Sequence, residues 1–302
     1  MAMTRMIAHW KLRSRTLELG RRTLVMGVVN ITPDSFSDGG NFLDRDAAVR
    51  RGLELIEEGA DLLDLGAEST RPGAMVGAAG EAKVSAEEEQ RRLLPVIEGI
   101  LKARAETVIS VDTYKSATAK AAFGVGVEIV NDVSGFTWDA DMARVCAESG
   151  CGLVLMHTRG RPDQWRAQQK LAPDDLMESV KTGLAESVQG AMRAGVAAQS
   201  IVLDPGYGFG KKFDENYVLL ARQGELLELK RPLLAGLSRK SFLGHTLADS
   251  FGGKQAPVEA RETASIAALM TAILHGASIV RVHDARSAVE AARIADAVLA
   301  AR

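Results

Sequence analysis

Eight short apolar runs punctuate this chain, and nearly every one ends on a polar residue. The ends read VVN (Asn30), LLDLGAESTRP (through Pro72), ISVD (Asp112), EIVND (Asn131), VLMH (His157), IVLDPG (Asp204), LLAGLSRK (Lys240) and IVRVHD (Asp284). A run of apolar β-formers buried on both faces is the pattern of a parallel-sheet strand. A polar last letter adds nothing to packing. Eight such ends predict eight strands that aim their chemistry at one surface.

Helix-period segments fill the gaps. Residues 44–58 place Val49, Leu53 and Ile56 on one face and stop at Gly59. Ser85 opens the next helix with Glu88 three residues on, the spacing of a capping box, and Leu93, Leu94, Ile97 and Leu101 form its apolar face. Further helices are expected over 116–123, 139–148, 174–194, 214–229, 258–275 and 286–300. Repeated strand–helix–strand order implies a parallel sheet with right-handed crossovers, and eight repeats close into a (β/α)8 TIM barrel. An open doubly wound sheet is the alternative. Upstream, residues 10–19 and 22–29 flank Gly20 and Arg21 in the manner of a β-hairpin. The expected organisation is an N-terminal extension with a β-hairpin over residues 1–21, followed by one barrel domain over 22–302. Pro72–Lys83 is Gly/Ala-rich and long for a βα loop, which suggests a mobile segment. Residues 159–171 and Trp138 look like further excursions on the same side.

Composition narrows the function. The 302 residues carry 37 Lys+Arg against 39 Asp+Glu, a net charge of −2, so neither a nucleic-acid nor a membrane footprint is written here and any anion site must be local. The 18-residue uncharged stretch from Thr263 to Val280 touches the length of a membrane span, but His275-Gly276 divides it into a helix and a strand. Only two cysteines occur, Cys146 and Cys151, which fits a reducing compartment such as the cytoplasm. Six Lys/Arg against one Glu in the first 22 residues faintly resemble a transit peptide, although the hairpin reading explains the segment better. No G-x-S-x-G elbow and no His-x-x-x-His pair is present, so a serine hydrolase or a zinc peptidase is disfavoured.

The strand ends read differently one by one and together. A lone Asp after a strand commonly caps the next helix, and Asp112 could serve the helix near Ser116. Asp112, Asn131 and Asp204 in one barrel mouth could instead accept from a flat heterocycle with an amidine-like edge, Asn131 supplying donor and acceptor. In DPGYGFG (204–210) the glycine spacing is wrong for a dinucleotide loop; it suits close backbone approach to a planar ring. Arg281 and His283 share a strand face. Arg281 is either paired with Asp284 or another barrel acid, or part of a diphosphate or carboxylate clamp with the SRKS segment at 238–241. The first two loops, NITPDSFSDGG (30–40) and ESTRPG (68–73), carry more than turn residues: Phe36 and Arg71 have no packing reason to be there.

Taken together, MGVVNITPDSFSDGG (26–40), GAESTRPGA (66–74), SVDTYKS (110–116), IVNDVSG (129–135), LMHTRG (155–160), LDPGYGFGK (203–211), GLSRKSFLG (236–244) and RVHD (281–284) resemble the dihydropteroate synthase family over about residues 22–300. The resemblance implies a homodimeric transferase of folate biosynthesis. Such enzymes condense 6-hydroxymethyl-7,8-dihydropterin diphosphate with 4-aminobenzoate, with Mg²⁺, by an SN1-like displacement of pyrophosphate, and are sulfonamide targets. Carried over by motif, Asp112, Asn131, Val133, Met156, Asp204, Gly208, Phe209, Lys240 and Arg281 would hold the pterin. Asn30, Arg281 and His283 would hold the diphosphate, with Asn30 on Mg²⁺. Pro33, Phe36, Thr70, Arg71, Pro72 and Ser241, with Asp34 beside them, would receive 4-aminobenzoate. Catalysis would fall to Asn30, Asp34, Arg71, Asp112, Lys240, Arg281 and His283. The loop after Pro72 looks longer than is usual for the family, and Trp138 has no counterpart role. Two rivals share the barrel: a pterin-binding domain of a corrinoid-dependent methyltransferase, which has no use for SRKS, RVHD or STRP, and a non-catalytic barrel, which would show a degraded site.

Overall fold

The computed structural model describes residues 5–31, 41–68 and 84–301. Eight parallel strands close into a barrel: β3 (Leu24–Asn30), β4 (Leu62–Gly66), β5 (Ile109–Asp112), β6 (Ile129–Asp132), β7 (Gly152–Met156), β8 (Ile201–Asp204), β9 (Leu233–Ala235) and β10 (Ala277–Val282). They pair in chain order, and β10 returns to β3 with Val280 opposite Val25 and Arg281 opposite Met26. That closing pair excludes the open sheet. Around the barrel lie α1 (Asn41–Glu57), α2 (Ala86–Ala103), α3 (Ser116–Gly124), α4 (Met142–Ser149), α5 (Pro173–Arg193), α6 (Phe213–Arg222), α7 (Ser241–Thr246), α8 (Glu262–Leu274) and α9 (Ala285–Ala300).

The strand periodicity of two sorts the core into two layers. Val25, Leu63, Leu65, Val111, Val130, Leu153, Leu203 and Val280 face the helices. Leu24, Met26, Leu62, Val108, Ile129, Val154, Val202, Leu234 and Ile279 fill the barrel interior as one cluster with Trp10, Leu12 and Leu19. Above that filling the inward side chains include the polar Asp64, Asp112, Asn131, Asp204 and Arg281, with Met156 among them. Hydrophobic packing therefore occupies the N-terminal half of the barrel and leaves the C-terminal half for chemistry.

The hairpin exists, but with a different pairing from the one expected. β1 (Ala8–Lys11) runs antiparallel to β2 (Thr16–Leu19), with Trp10 opposite Leu17, so the reversal falls at residues 12–15 and not at Gly20-Arg21. Residues 24–30 are the first barrel strand, because an apolar run buried on both faces satisfies its backbone better between β10 and β4 than in an exposed ribbon. The hairpin closes the N-terminal end of the barrel. Trp10 is 1% exposed and its indole N–H donates to Ser200 O at 2.8 Å. A Cβ at Gly152 would sit 2.3 Å from the Leu12 Cδ2, so the hairpin packs directly on the bare backbone at the start of β7.

Other boundaries moved for identifiable reasons. Ser85 caps α2 by accepting from Glu88 N at 3.1 Å, but the Glu88 carboxylate turns to Arg92 at 2.6 Å, so only half of the capping box forms. The helix expected over 258–275 begins as a 3-10 turn (Val258–Arg261) before α8, and that over 214–229 ends as one (Gln223–Leu229) after α6. Among the described residues no helix is long and apolar enough to cross a membrane; Thr263–Val280 divides between α8 and β10, with Gly276 at φ 98° between them.

Candidate active site

Five strand ends and the loops after β8 and β9 meet at the C-terminal mouth of the barrel. Asp112, Asn131, Val133, Met156, Asp204, Phe209, Lys240 and Arg281 line one pocket, with Tyr207 and Gly236. Neighbouring strands bring them into register: Asp112 lies opposite Asn131, and Met156 opposite Asp204. Gly66 ends β4 where a Cβ would stand 3.3 Å from Asp112 Cβ, so its missing side chain gives Asp112 room to turn inward.

Asp112 does not cap α3. The backbone N–H of Ser116 donates instead to Asp139 at 2.8 Å, while Asp112 Oδ2 accepts from Arg281 Nη2 at 2.7 Å. Arg281 also reaches over β3 to Asp64 on β4, Nε to Oδ2 at 2.6 Å. Asp64 is fully buried, accepts from Asn131 Nδ2 at 2.9 Å through the same oxygen, and leaves its Oδ1 without a partner among the described residues. Sequence reasoning passed over this residue. The signal was present in LLDLG: an acid in the middle of a doubly buried strand is costly unless paired. Asp284, read as a polar strand end, is the N-cap of α9, accepting from Ser287 N at 3.0 Å. Arg281 therefore pairs with interior acids and not with Asp284.

Among the described residues, three carboxylates (Asp64, Asp112, Asp204) face two cations (Lys240, Arg281) in a poorly solvated space, and Asp112, Asp204, Lys240 and Arg281 are shifted in response. Burial pushes Asp112 up to about 7, against the opposing pull of Arg281. Burial also raises Asp204, opposed by the N–H of Gly206, which donates to its Oδ1 at 2.7 Å. Burial pulls Lys240 down to about 8, with Asp204 resisting. Burial opposes the charge on Arg281 as well, but Asp64 and Asp112 more than offset it and hold the guanidinium charged. The pocket thus offers acceptors, one permanent cation and one titratable cation around an apolar slot of Val133, Met156 and Phe209, a chemistry suited to a flat, polar-edged heterocycle.

The loop after β8 departs from its sequence reading. Gly206, Gly208 and Gly210 have φ of 71°, 82° and 71°. A Cβ at Gly206 would lie 1.9 Å from His157 O and one at Gly210 2.7 Å from Arg159 Cβ. Those two glycines let the loop press on the end of β7, not on a ring. Gly208 is the one turned to the pocket side, 3.5 Å from the Lys240 Cδ, had it a Cβ. The excursions buttress the wall: Trp165 packs edge-on against Phe209 with centroids 5.1 Å apart, and Trp138 packs edge-on against Tyr114 at 5.1 Å with Arg161 5.3 Å over its ring.

At the rim, Asn30 ends β3 half-buried, His283 Nδ1 is 3.0 Å from Ser238 Oγ, and Ser241 starts α7 beside Lys240. None of these three lines the pocket itself. Pro33, Asp34, Phe36, Thr70, Arg71 and Pro72 lie outside the described residues, as does the long segment Pro72–Lys83.

A closed (β/α)8 barrel with this acid, amide and cation set in its mouth defines a class of pterin-handling barrels. The family described as "Pterin binding enzyme" matches residues 26–283. A dihydropteroate synthase of Clostridium beijerinckii is 39% identical over 290 residues, covering 96% of this chain and 99% of its own. A dihydropteroate synthase structure from Xanthomonas albilineans with 4-aminobenzoic acid superposes with a TM-score of 0.84 at 40% identity, covering 97% of this chain and 99% of the other. One from Yersinia pestis with a sulfonamide drug complex gives 0.85 at 37% identity over 97% and 100%. The chain spans about half, 51%, of the length of a folate synthesis bifunctional protein of Arabidopsis thaliana that it also matches. This chain belongs to the pterin-binding enzyme family, on its dihydropteroate synthase branch.

Proposed function

We propose that the barrel mouth condenses 6-hydroxymethyl-7,8-dihydropterin diphosphate with 4-aminobenzoate, giving 7,8-dihydropteroate and pyrophosphate in folate biosynthesis. The observation that carries this reading is the meeting of Asp112, Asn131, Asp204, Lys240 and Arg281 on one pocket. It stands in a chain that matches dihydropteroate synthases along nearly its whole length. In this reading Asp204 and Asn131 take the amino-pyrimidine edge of the pterin, and Lys240 donates to the carbonyl and N5 side. Arg281 stacks over the ring and, with Asn30 and His283, receives the diphosphate. Ser241 and the residues at 33, 36 and 70–72 receive 4-aminobenzoate.

The donors suit such a reaction. The C–O bond to the diphosphate breaks first, its electron pair leaving on pyrophosphate. The amine nitrogen then forms the C–N bond and gives up its proton to the released pyrophosphate or to water. Arg281 carries permanent charge toward the leaving group, while Asp112 and Asp204 stabilise positive charge spread over the ring. The arylamine is neutral at pH 7, so positioning in a dry site replaces a strong base, an effect worth up to about 7–11 kcal/mol.

Mg²⁺ fits the chain's donors in one specific way. Among the described residues no group of three or more His, Cys, Asp or Glu could hold a metal ion. A hard cation that keeps its waters and leans on substrate phosphates needs only a carbonyl oxygen such as that of Asn30. When bound, it would neutralise charge on the departing pyrophosphate. Sulfonamides, as mimics of 4-aminobenzoate, would compete at the second site. A homodimer and a cytoplasmic location complete the proposal; the two buried, unbridged cysteines agree with a reducing compartment. The test is pyrophosphate release from the dihydropterin diphosphate with and without 4-aminobenzoate, with and without a chelator. Release that requires both 4-aminobenzoate and free Mg²⁺, with dihydropteroate as co-product, is expected. Absence of coupled release would overturn the assignment.

A further inference from the structure

Lys211 is a buried cation outside the pocket, 7% exposed, with no carboxylate partner among its hydrogen bonds. Its Nζ instead meets Gly206 O at 2.8 Å, His157 Nδ1 at 3.0 Å, His157 O at 3.2 Å and Phe209 O at 3.3 Å. Three backbone carbonyls and a ring nitrogen converge on one ammonium, as ligands converge on a metal ion. The alternating positive φ angles of Gly206, Gly208 and Gly210 wind the loop so that its carbonyls turn inward to make this cage.

Each ligand of the ammonium is joined to the pocket. Gly206 donates its N–H to Asp204 and its carbonyl is held by Lys211. Phe209 lines the pocket with Lys240 Nζ 4.1 Å over its ring, and its carbonyl is held too. His157 follows Met156, another lining residue. The His157 ring also meets Gly183 of α5, where a Cβ would stand 2.7 Å from Cδ2, so it has no room to retreat. We propose that Lys211 is a positioning residue for pterin binding: its ammonium ties the end of β7 to the 204–210 loop and so aims Asp204 and Phe209 at the ring. The inference rests on the pterin reading of the pocket. Its reach is affinity for the first substrate, not the bond-breaking step, because Lys211 touches no reacting atom.

Burial draws the Lys211 ammonium down to about 7, with Asp204 resisting, and burial holds His157 well below its ordinary range, with Lys211 adding to the effect. A neutral His157 accepting at Nδ1 is the state that the ammonium requires. Lys in this place is cheaper to bury than it looks, because every proton of its head has a carbonyl or ring nitrogen in reach.

Lys211→Met keeps the stem and removes the ammonium; Lys211→Gln keeps two amide donors. For Lys211→Met, the Kd for 6-hydroxymethyl-7,8-dihydropterin diphosphate by calorimetry should rise about tenfold or more, and KM with it, while kcat stays within about threefold. Lys211→Gln should fall between. In the absence of any ligand, hydrogen exchange over 204–210 should quicken in Lys211→Met while the hairpin at 8–19 stays protected. A Kd within about twofold of wild type, a loss confined to kcat, failure of both variants to fold, or unchanged exchange over 204–210 would each overturn the positioning role. Wild-type protein that binds no pterin diphosphate would sink the reading of the pocket instead, and the exchange comparison would still decide whether Lys211 holds the loop.

Discussion

Asp204 bears the most direct burden at the scale of single residues. It ends β8, is 6% exposed, and has one oxygen already committed to Gly206 N, so its second oxygen faces the pocket. Asp204→Asn preserves shape and removes the charge that a guanidinium-like edge needs. The expected loss is about 1.5–3 kcal/mol of pterin affinity, one to two orders of magnitude in Kd. Thermal unfolding should be unchanged or slightly raised, since burial already disfavours the carboxylate. Calorimetry with a pterin ligand checks it, and wild-type affinity in the variant would remove Asp204 from the site. Asp112, Asn131 and Asp204 were legible in the sequence because they are strand-terminal polar letters with no packing reason. Asp64 showed only as an unexplained acid inside a doubly buried strand, and Lys211 only as the last letter of LDPGYGFGK, because the role of each depends on partners distant in sequence. Asp64 meets Arg281 across 217 residues and Lys211 meets His157 across 54.

Among elements, the hairpin is the clearest case of a feature read correctly in kind and wrongly in pairing. Gly20-Arg21 has the look of a two-residue turn, so residues 22–29 read both as a hairpin arm and, through VVN, as the first of eight strands; the structure keeps the strand and pairs Thr16–Leu19 with Ala8–Lys11 instead. Local pattern cannot choose between those two partners, since the pairing is decided by closure of the sheet. The same holds for the helix boundaries, where the 3-10 turns at Val258–Arg261 and Gln223–Leu229 continue a helical hydrophobic pattern with a different hydrogen-bond geometry. The β1–β2 ribbon contributes stability at the end of the barrel opposite the pocket. Trp10→Ala removes a fully buried indole and its bond to Ser200 O, and should cost about 3–5 kcal/mol in urea unfolding while leaving pterin affinity within about twofold. A loss below about 1 kcal/mol would mean that the hairpin is not a structural plug.

For the molecule as a whole, the fold was legible because eight doubly buried strands with helices between them admit few closed arrangements. What the sequence could not supply was how charge is distributed in the finished cavity. Three acids and two cations come from β4, β5, β8, β10 and the loop after β9, and their mutual bonds set which face of the pocket is anionic before any ligand arrives. On the function proposed above, that pre-set field would receive a bicyclic ring with its donor edge on Asp204 and Asn131 and its leaving group toward Arg281. The measurement that tests it most directly is a crystal structure of the protein with 6-hydroxymethyl-7,8-dihydropterin diphosphate. The account predicts the ring between Phe209 and Arg281, its amino-pyrimidine edge within hydrogen-bond distance of Asp204 and Asn131. A ring bound elsewhere, or in the mouth with its diphosphate turned toward Asp204, would contradict it.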